Sequence, residues 1–214
     1  YDYDKLPSHD ISVRHAQADE KFVTLDDEEQ TLNANDIVVV SGDQPVALAG
    51  TMGGQATAVS ENTTTVALEA AIFDSVMVRK QARRLDLHSE SSMRFERGIN
   101  PATVETALNE AAQLISQLAG GTVTKGIVTG SEKPAESKDI ELSLTKINHV
   151  LGTNLKMEDV TSVFDQLAFP NKLTSNDTVL VTVPARRWDI SLPADLYEEV
   201  ARIYGYDNLP ESLP

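Results

Sequence analysis

The chain has 214 residues, enough for one large domain or two small ones, and its composition, 41% hydrophobic and 24% charged, is that of an ordinary globular protein. The absence of cysteine excludes disulfides, thiolate metal sites and a cysteine nucleophile, and it is compatible with a reducing cytoplasm, the expected location. A formal net charge of -15 argues against autonomous binding of nucleic acid, and no apolar run approaches the ~18 residues that a membrane span needs.

The first residues, Tyr1-Asp2-Tyr3-Asp4, have neither the basic nor the apolar region of a signal peptide and no initiator methionine, so a segment of a longer chain is expected. Residues 11–15 alternate in polarity, residues 22–25 follow, and 36–40 form a β-branched run; together they predict short strands of a mixed or antiparallel sheet. Residues 66–73 are almost wholly apolar and predict a buried strand interrupted by one carboxylate, Glu69.

Asp74-Ser75 suits the cap of a helix ending at Leu85, whose exposed side collects Arg79, Lys80, Arg83 and Arg84 into the densest basic cluster of the chain. That face is either a phosphate contact or simply solvated. Asn100-Pro101 predicts the cap and first turn of a longer helix, with Val104, Leu108, Ala111, Ile115 and Leu118 as its apolar stripe and Gly120-Gly121 at its end.

Residues 131–138 are polar, contain a proline and suit a linker, which divides the chain into modules at 1–130 and 139–214. The second module reads as a strand at 140–144, helices at 146–151 and 157–167, a strand at 179–183 and a last helix at 193–204 before Gly205. The fold class is therefore α/β mixed, of the α+β kind, with mixed or antiparallel sheets in the first module and a small α+β second module.

Three groups of residues have chemical potential. Ala49-Gly50-Thr51-Met52-Gly53-Gly54 places glycines among small residues, which suits a tight turn first and a ligand loop second. Glu69 either pairs with an arginine or lines a pocket and hydrogen-bonds a polar group of a substrate. Asp195, Glu198 and Glu199 stand at i, i+3 and i+4 of one helix face with Asp189 upstream, either as a magnesium group or as residues that complement the helix dipole, with Glu198 pairing to Arg202. Between residues 82 and 98, cations, carboxylates and hydroxyls crowd together, and a salt-bridge network involving Arg94, Glu96 and Arg97 is the plainer reading. Nucleophile-elbow, zinc, Walker and dinucleotide signatures are absent, and the four histidines form no ligand pattern.

Five motifs then occur in a shared order: the Ala49 to Gly54 loop, Leu68-Glu69-Ala70-Ala71, Arg83-Arg84-Leu85, Met93-Arg94-Phe95-Glu96-Arg97-Gly98-Ile99-Asn100-Pro101, and Glu198-Glu199-Val200-Ala201-Arg202-Ile203-Tyr204-Gly205-Tyr206-Asp207-Asn208-Leu209-Pro210. Across essentially its whole length the chain resembles the beta subunits of bacterial phenylalanyl-tRNA synthetases. The resemblance implies an α2β2 enzyme in which the alpha subunit binds ATP and joins phenylalanine to its tRNA, while residues 1–130 form most of a module that hydrolyses tyrosine from phenylalanine tRNA. It implies that Glu69 recognises the tyrosine hydroxyl and that Ala49, Gly50 and Gly53 shape the pocket. Ser89 and Ser91 align with pocket positions where the family often has threonine and alanine.

A further pocket histidine of the family would precede Tyr1, so impaired editing by this segment alone is expected. Hydrolysis would use positioned water, with oxyanion donors from the backbone around Gly53 and Gly54. By the same resemblance, Asp189, Asp195, Glu198 and Glu199 match a magnesium group shared with the alpha subunit. The alternative function is a non-catalytic scaffold with tRNA-docking and subunit-interface surfaces. A free-standing editing factor is disfavoured, because the Tyr204 to Asn208 signature goes with the full subunit.

Overall fold

The structure, a computed structural model, describes residues 1–130 and 136–210, so most of the linker expected at 131–138 lies outside the described residues. The chain divides into two compact units, Tyr1–Ser131 and Glu132–Pro214. Both are mixed α+β with antiparallel sheets.

In the first unit, β1 (Ser12–His15), β4 (Ile37–Ser41), β5 (Gln44–Leu48) and β6 (Met52–Gly53) form one sheet in that order, and β2 (Lys21–Val23) pairs with β3 (Glu29–Thr31). Strand β4 is buried along its whole length because both of its faces are covered. Side chains alternate across a strand. Val38 and Val40 therefore enter a cluster with Phe22, Leu32 and Leu48, while Ile37 and Val39 enter a second with Leu6, Ala49 and Val78.

The β4–β5 hairpin turns on Gly42, whose φ of +58° is the left-handed value that tight hairpins use. Its register shifts at Val39/Val40, leaving Val46 as an extra residue on β5. Pro45 is tolerated beside that bulge.

Helix α1 (Ser75–Leu85) begins at Asp74, whose carboxylate accepts from the N–H groups of Val76 and Met77, and it buries Val78, Gln81, Ala82 and Leu85. Helix α2 (Glu90–Phe95) is capped reciprocally by Ser89 and Ser92. A 3-10 turn at Pro101–Thr103, capped by Asn100, leads into α3 (Val104–Ala119), which Gly120 closes at φ +70°.

One expectation for this unit is corrected. Residues 66–73 are not a buried strand: they form only an isolated bridge, Asp2 to Val66, and Val66 and Leu68 are exposed. With the Tyr1–Asp2 backbone alone beside it, the segment lacks a continuous partner strand to cover it. The helix expected after Asn100-Pro101 is α3, and its stripe is partly covered, with Val104, Leu108 and Ala111 half-buried and Leu118 86% exposed.

In the second unit, β7 (Lys138–Ser143), β9 (Thr178–Val183) and β8 (Asn171–Leu173) form an antiparallel sheet with β9 central. Helices α4 (Leu144–Leu151), α5 (Met157–Gln166) and α6 (Pro193–Tyr204) contribute to one contiguous core built around Leu142, Ile147, Phe164, Val181, Leu196 and Val200. The period of two in β9 and of 3.6 in α5 and α6 selects which side chains enter it.

Candidate functional site

The glycine loop of the first unit is shaped by packing. Gly50 has φ +66°, and a Cβ there would meet Val78, Phe73 and Phe95 at 3.0–3.1 Å. A Cβ on Gly54 would stand 2.7 Å from the Val46 carbonyl oxygen, and one on Gly53 would stand 2.9 Å from Leu25. Gly50 needs glycine for both conformation and space, Gly54 for space alone, and at Gly53 the obstacle is the end of the Leu25 side chain.

Two serines hold the loop from α2. Ser89 Oγ donates to the Thr51 carbonyl (2.6 Å) and Ser91 Oγ donates to the Gly50 carbonyl (3.0 Å). From α1, the buried Gln81 accepts from the Ile37 N–H (2.7 Å) and donates to Thr51 Oγ1 (3.2 Å). The sequence reading missed Gln81, although its position one turn after Val78 on the buried face of α1 is where an unexplained polar residue stands out. Neither serine is aimed at a base, so neither is activated as a nucleophile.

The backbone donors do not all match expectation. Gly54 N–H is committed to the Val46 carbonyl at 2.9 Å, which removes it as an oxyanion donor. Thr51 N–H is committed to the Leu48 carbonyl. Among the described residues Gly50 N–H has no acceptor, so it remains available as a donor of this loop.

Glu69 is half-buried, and its carboxylate accepts from the phenol hydroxyl of Tyr1. No arginine or lysine pairs with it among the described residues, which settles the first of its two readings against a salt bridge. Tyr1 is fixed by its own backbone, since Ala67 N–H donates to the Tyr1 carbonyl at 2.9 Å and the Tyr1 amine donates to the Ala67 carbonyl at 3.0 Å. Burial first, and then the Glu69 charge and hydrogen bond, raise the phenol well above its ordinary pKa.

Tyr1, Ala67, Phe73 and Phe95 pack on the cluster that contains Ala49. Glu69 therefore belongs to the same region as the Ala49–Gly50 turn that Ser89 and Ser91 support, although its own polar contact is with Tyr1. Two open clefts of the unit lie elsewhere: about 330 Å³ beside Asn33, Lys80 and Arg84, and about 180 Å³ beside Phe22 and Pro45.

Of the network expected between residues 82 and 98, Arg94 pairs with Glu90 on the surface and the His88 ring lies 3.5 Å from Asp86, while Glu96 and Arg97 make no ion pair among the described residues. Arg84 instead reaches Asp36, a buried carboxylate that also accepts from the Asn33 N–H.

The four carboxylates of the second unit do not gather around a metal position. Arg187 forks between Asp189 (2.7 Å) and the buried Glu199 (2.9 Å), and Arg202 adds a second cation to Glu199 (2.6 Å). Asp195 accepts from the N–H groups of Ser191 and Leu192 at the start of α6, and Glu198 is exposed. Arg202 thus pairs with Glu199, not with Glu198 as its spacing allowed.

The Arg187 guanidinium holds the Asp189 and Glu199 carboxyls below their ordinary range, and the two backbone donors do the same for Asp195. Among the described residues no three or more His, Asp or Glu side chains are placed to hold a metal ion. Asp189 and Glu199 face guanidinium groups and Asp195 faces backbone N–H groups, which leaves Glu198 alone of the four unengaged among the described residues, so the set does not fit a magnesium ion in this arrangement.

No helix among the described residues is long and apolar enough to cross a membrane. The B3/4 domain matches residues 1–120 and the tRNA synthetase B5 domain matches residues 140–206.

The chain is 51% identical over its full length to the phenylalanine–tRNA ligase beta subunit of Lactiplantibacillus plantarum and 54% identical to that of Streptococcus pneumoniae. It covers all of itself but only 26% and 27% of those relatives. A crystallised N-terminal fragment of the phenylalanyl-tRNA synthetase beta subunit from Pyrococcus horikoshii matches 96% of the chain and 59% of that fragment, at 18% identity and a TM-score of 0.48. The chain belongs to the B3/4 domain family, continues into a tRNA synthetase B5 domain, and is similar throughout to phenylalanine–tRNA ligase beta subunits.

Proposed function

We propose that this chain is the editing and B5 segment of a phenylalanine–tRNA ligase beta subunit, and that its first unit hydrolyses tyrosine wrongly attached to phenylalanine tRNA. The observation that carries the reading is the Glu69 carboxylate, half-buried, unpaired with any cation among the described residues, and accepting from a phenol hydroxyl. The Tyr1 phenol supports this reading, because a tyrosyl ester carries the same hydroxyl.

The physics of discrimination follows from one oxygen. A tyrosyl group that displaces the Tyr1 phenol satisfies Glu69 in its place, whereas a phenylalanyl group that displaces it leaves the carboxylate without a donor, at a cost of ~1–3 kcal/mol. A site built around a substrate hydroxyl discriminates strongly against the analogue that lacks it. Hydrolysis then requires water as nucleophile, because the chain has no cysteine and both site serines donate to carbonyls. Gly50 N–H is the oxyanion donor in this reading, in place of Gly54.

Aminoacylation with ATP and magnesium belongs to the alpha subunit of an α2β2 enzyme in the same proposal, and no step here runs through a metal. A second reading, as a scaffold and subunit-interface segment that docks tRNA without hydrolysing it, is favoured by the partly uncovered apolar face of α3. Assaying release of tyrosine from mischarged phenylalanine tRNA by the full-length enzyme, with and without a deletion of the first unit, separates them. Editing predicts that release disappears with the deletion while charging with phenylalanine continues; release that persists leaves the scaffold reading.

A further inference from the structure

Four of the chain's 18 lysine and arginine residues stand within six positions of α1, Arg79, Lys80, Arg83 and Arg84, in a chain whose net charge is -15. The structure separates them into two kinds. Arg84 is structural: its guanidinium holds buried Asp36 and donates to the Thr31 carbonyl.

Arg79, Lys80 and Arg83 are exposed and make no ion pair or side-chain hydrogen bond among the described residues. Offsets of one and four residues put these three on a single helix stripe, opposite the buried face of Val78, Gln81, Ala82 and Leu85.

Nothing within the helix accounts for that stripe. Arg79 repels Arg83, and Lys80 repels Arg84, each at i, i+4, and α1 contains no carboxylate to offset them. The helix dipole favours cations in the last turn, which covers Arg83 and Arg84 but not Arg79 and Lys80 in the middle.

Beside the stripe, the cleft of about 330 Å³ is walled by Lys80 and Arg84 on one side and by Asn33 and Asn35 on the other. Asp36 also borders it, but its charge is spent on Arg84 and on the Asn33 N–H.

We infer that Arg79, Lys80 and Arg83, with the adjoining cleft, form a docking surface for the phosphodiester backbone of RNA. The strongly acidic remainder of the chain repels a polyanion, so this stripe governs the orientation in which RNA approaches the unit. The choice of RNA as occupant rests on the proposed editing function; the attraction for phosphate rests on the unpaired cations alone.

The test uses the full-length enzyme and the affinity for uncharged phenylalanine tRNA measured across a salt series. Exchanging the three residues together (Arg79→Gln, Lys80→Gln, Arg83→Gln) is expected to make the slope of log affinity against log salt shallower by about 2, since each lost phosphate contact removes ~0.7–0.9. Lys80→Gln alone removes a single contact, and the pair Arg79→Lys with Arg83→Lys, which preserves charge, keeps the wild-type slope.

A triple variant with the wild-type slope overturns the inference, as does one that keeps the slope but loses subunit assembly, which would mark the stripe as a protein contact. The editing reading is decided separately: Glu69→Ala is expected to leave the slope unchanged, so either idea fails without the other.

Discussion

The two units use their polar chemistry in opposite ways. In the second, Arg187, Arg202, Asp189 and Glu199 neutralise one another over a single apolar core, and Arg187 also lies over the Phe169 ring at 5.7 Å. In the first, three cations on α1 have no partner among the described residues, Glu69 faces only a phenol, and α3 buries none of its residues. Cations without internal partners are available to a ligand, and on α1 three of them share one helix face.

The largest expected effect sharpens the contrast in packing. Phe164 is fully buried at the centre of the second unit, and Phe164→Ala is expected to lower stability by ~3–5 kcal/mol in denaturant unfolding. A loss below ~1 kcal/mol would mean that this core is not the continuous one described. In the first unit, Gln81→Leu strands the buried Ile37 N–H and is expected to cost ~1–3 kcal/mol, with the Thr51 turn loosened in hydrogen exchange.

Acidity separates the units next. Glu199 is held below its ordinary value of 4.5 chiefly by Arg187, so its contribution is complete above that value and is lost as pH falls through the lowered one. The unfolding midpoint of the second unit is expected to be level from pH 7 to about 5 and to fall only in more acid solution, and Glu199→Gln should flatten that fall. The smallest effect is expected on α3: Leu118→Gln should change stability by less than ~0.5 kcal/mol, because the side chain is 86% exposed.

Much of the architecture was legible where period and chemistry agree. The β-branched run of β4, the Asp74 cap of α1 and the 3.6-residue stripes of α5 and α6 announce themselves. Strands β5 and β6 did not, because Pro45 and Gly53 argue against strand and only the bulge and the turn reconcile them. Residues 66–73 and α3 show the limit of apolar pattern, which reports the capacity for burial and not the presence of a covering element.

The candidate sites divide similarly. Spacing did place Asp195, Glu198 and Glu199 on one helix, but it could not reveal that Arg187, twelve residues before Glu199, occupies the position between carboxylates. Nor could it show that the Gly54 N–H is used internally, since backbone commitments follow from register and not from composition.

The central claim is that Glu69 reads a phenol hydroxyl. The direct measurement is the ratio of hydrolysis rates for tyrosyl and phenylalanyl esters of phenylalanine tRNA, compared between the full-length enzyme and its Glu69→Ala variant. The account predicts that the ratio collapses about 10- to 100-fold, chiefly through slower tyrosyl release, while charging with phenylalanine is unchanged. A variant that retains the wild-type ratio would contradict it.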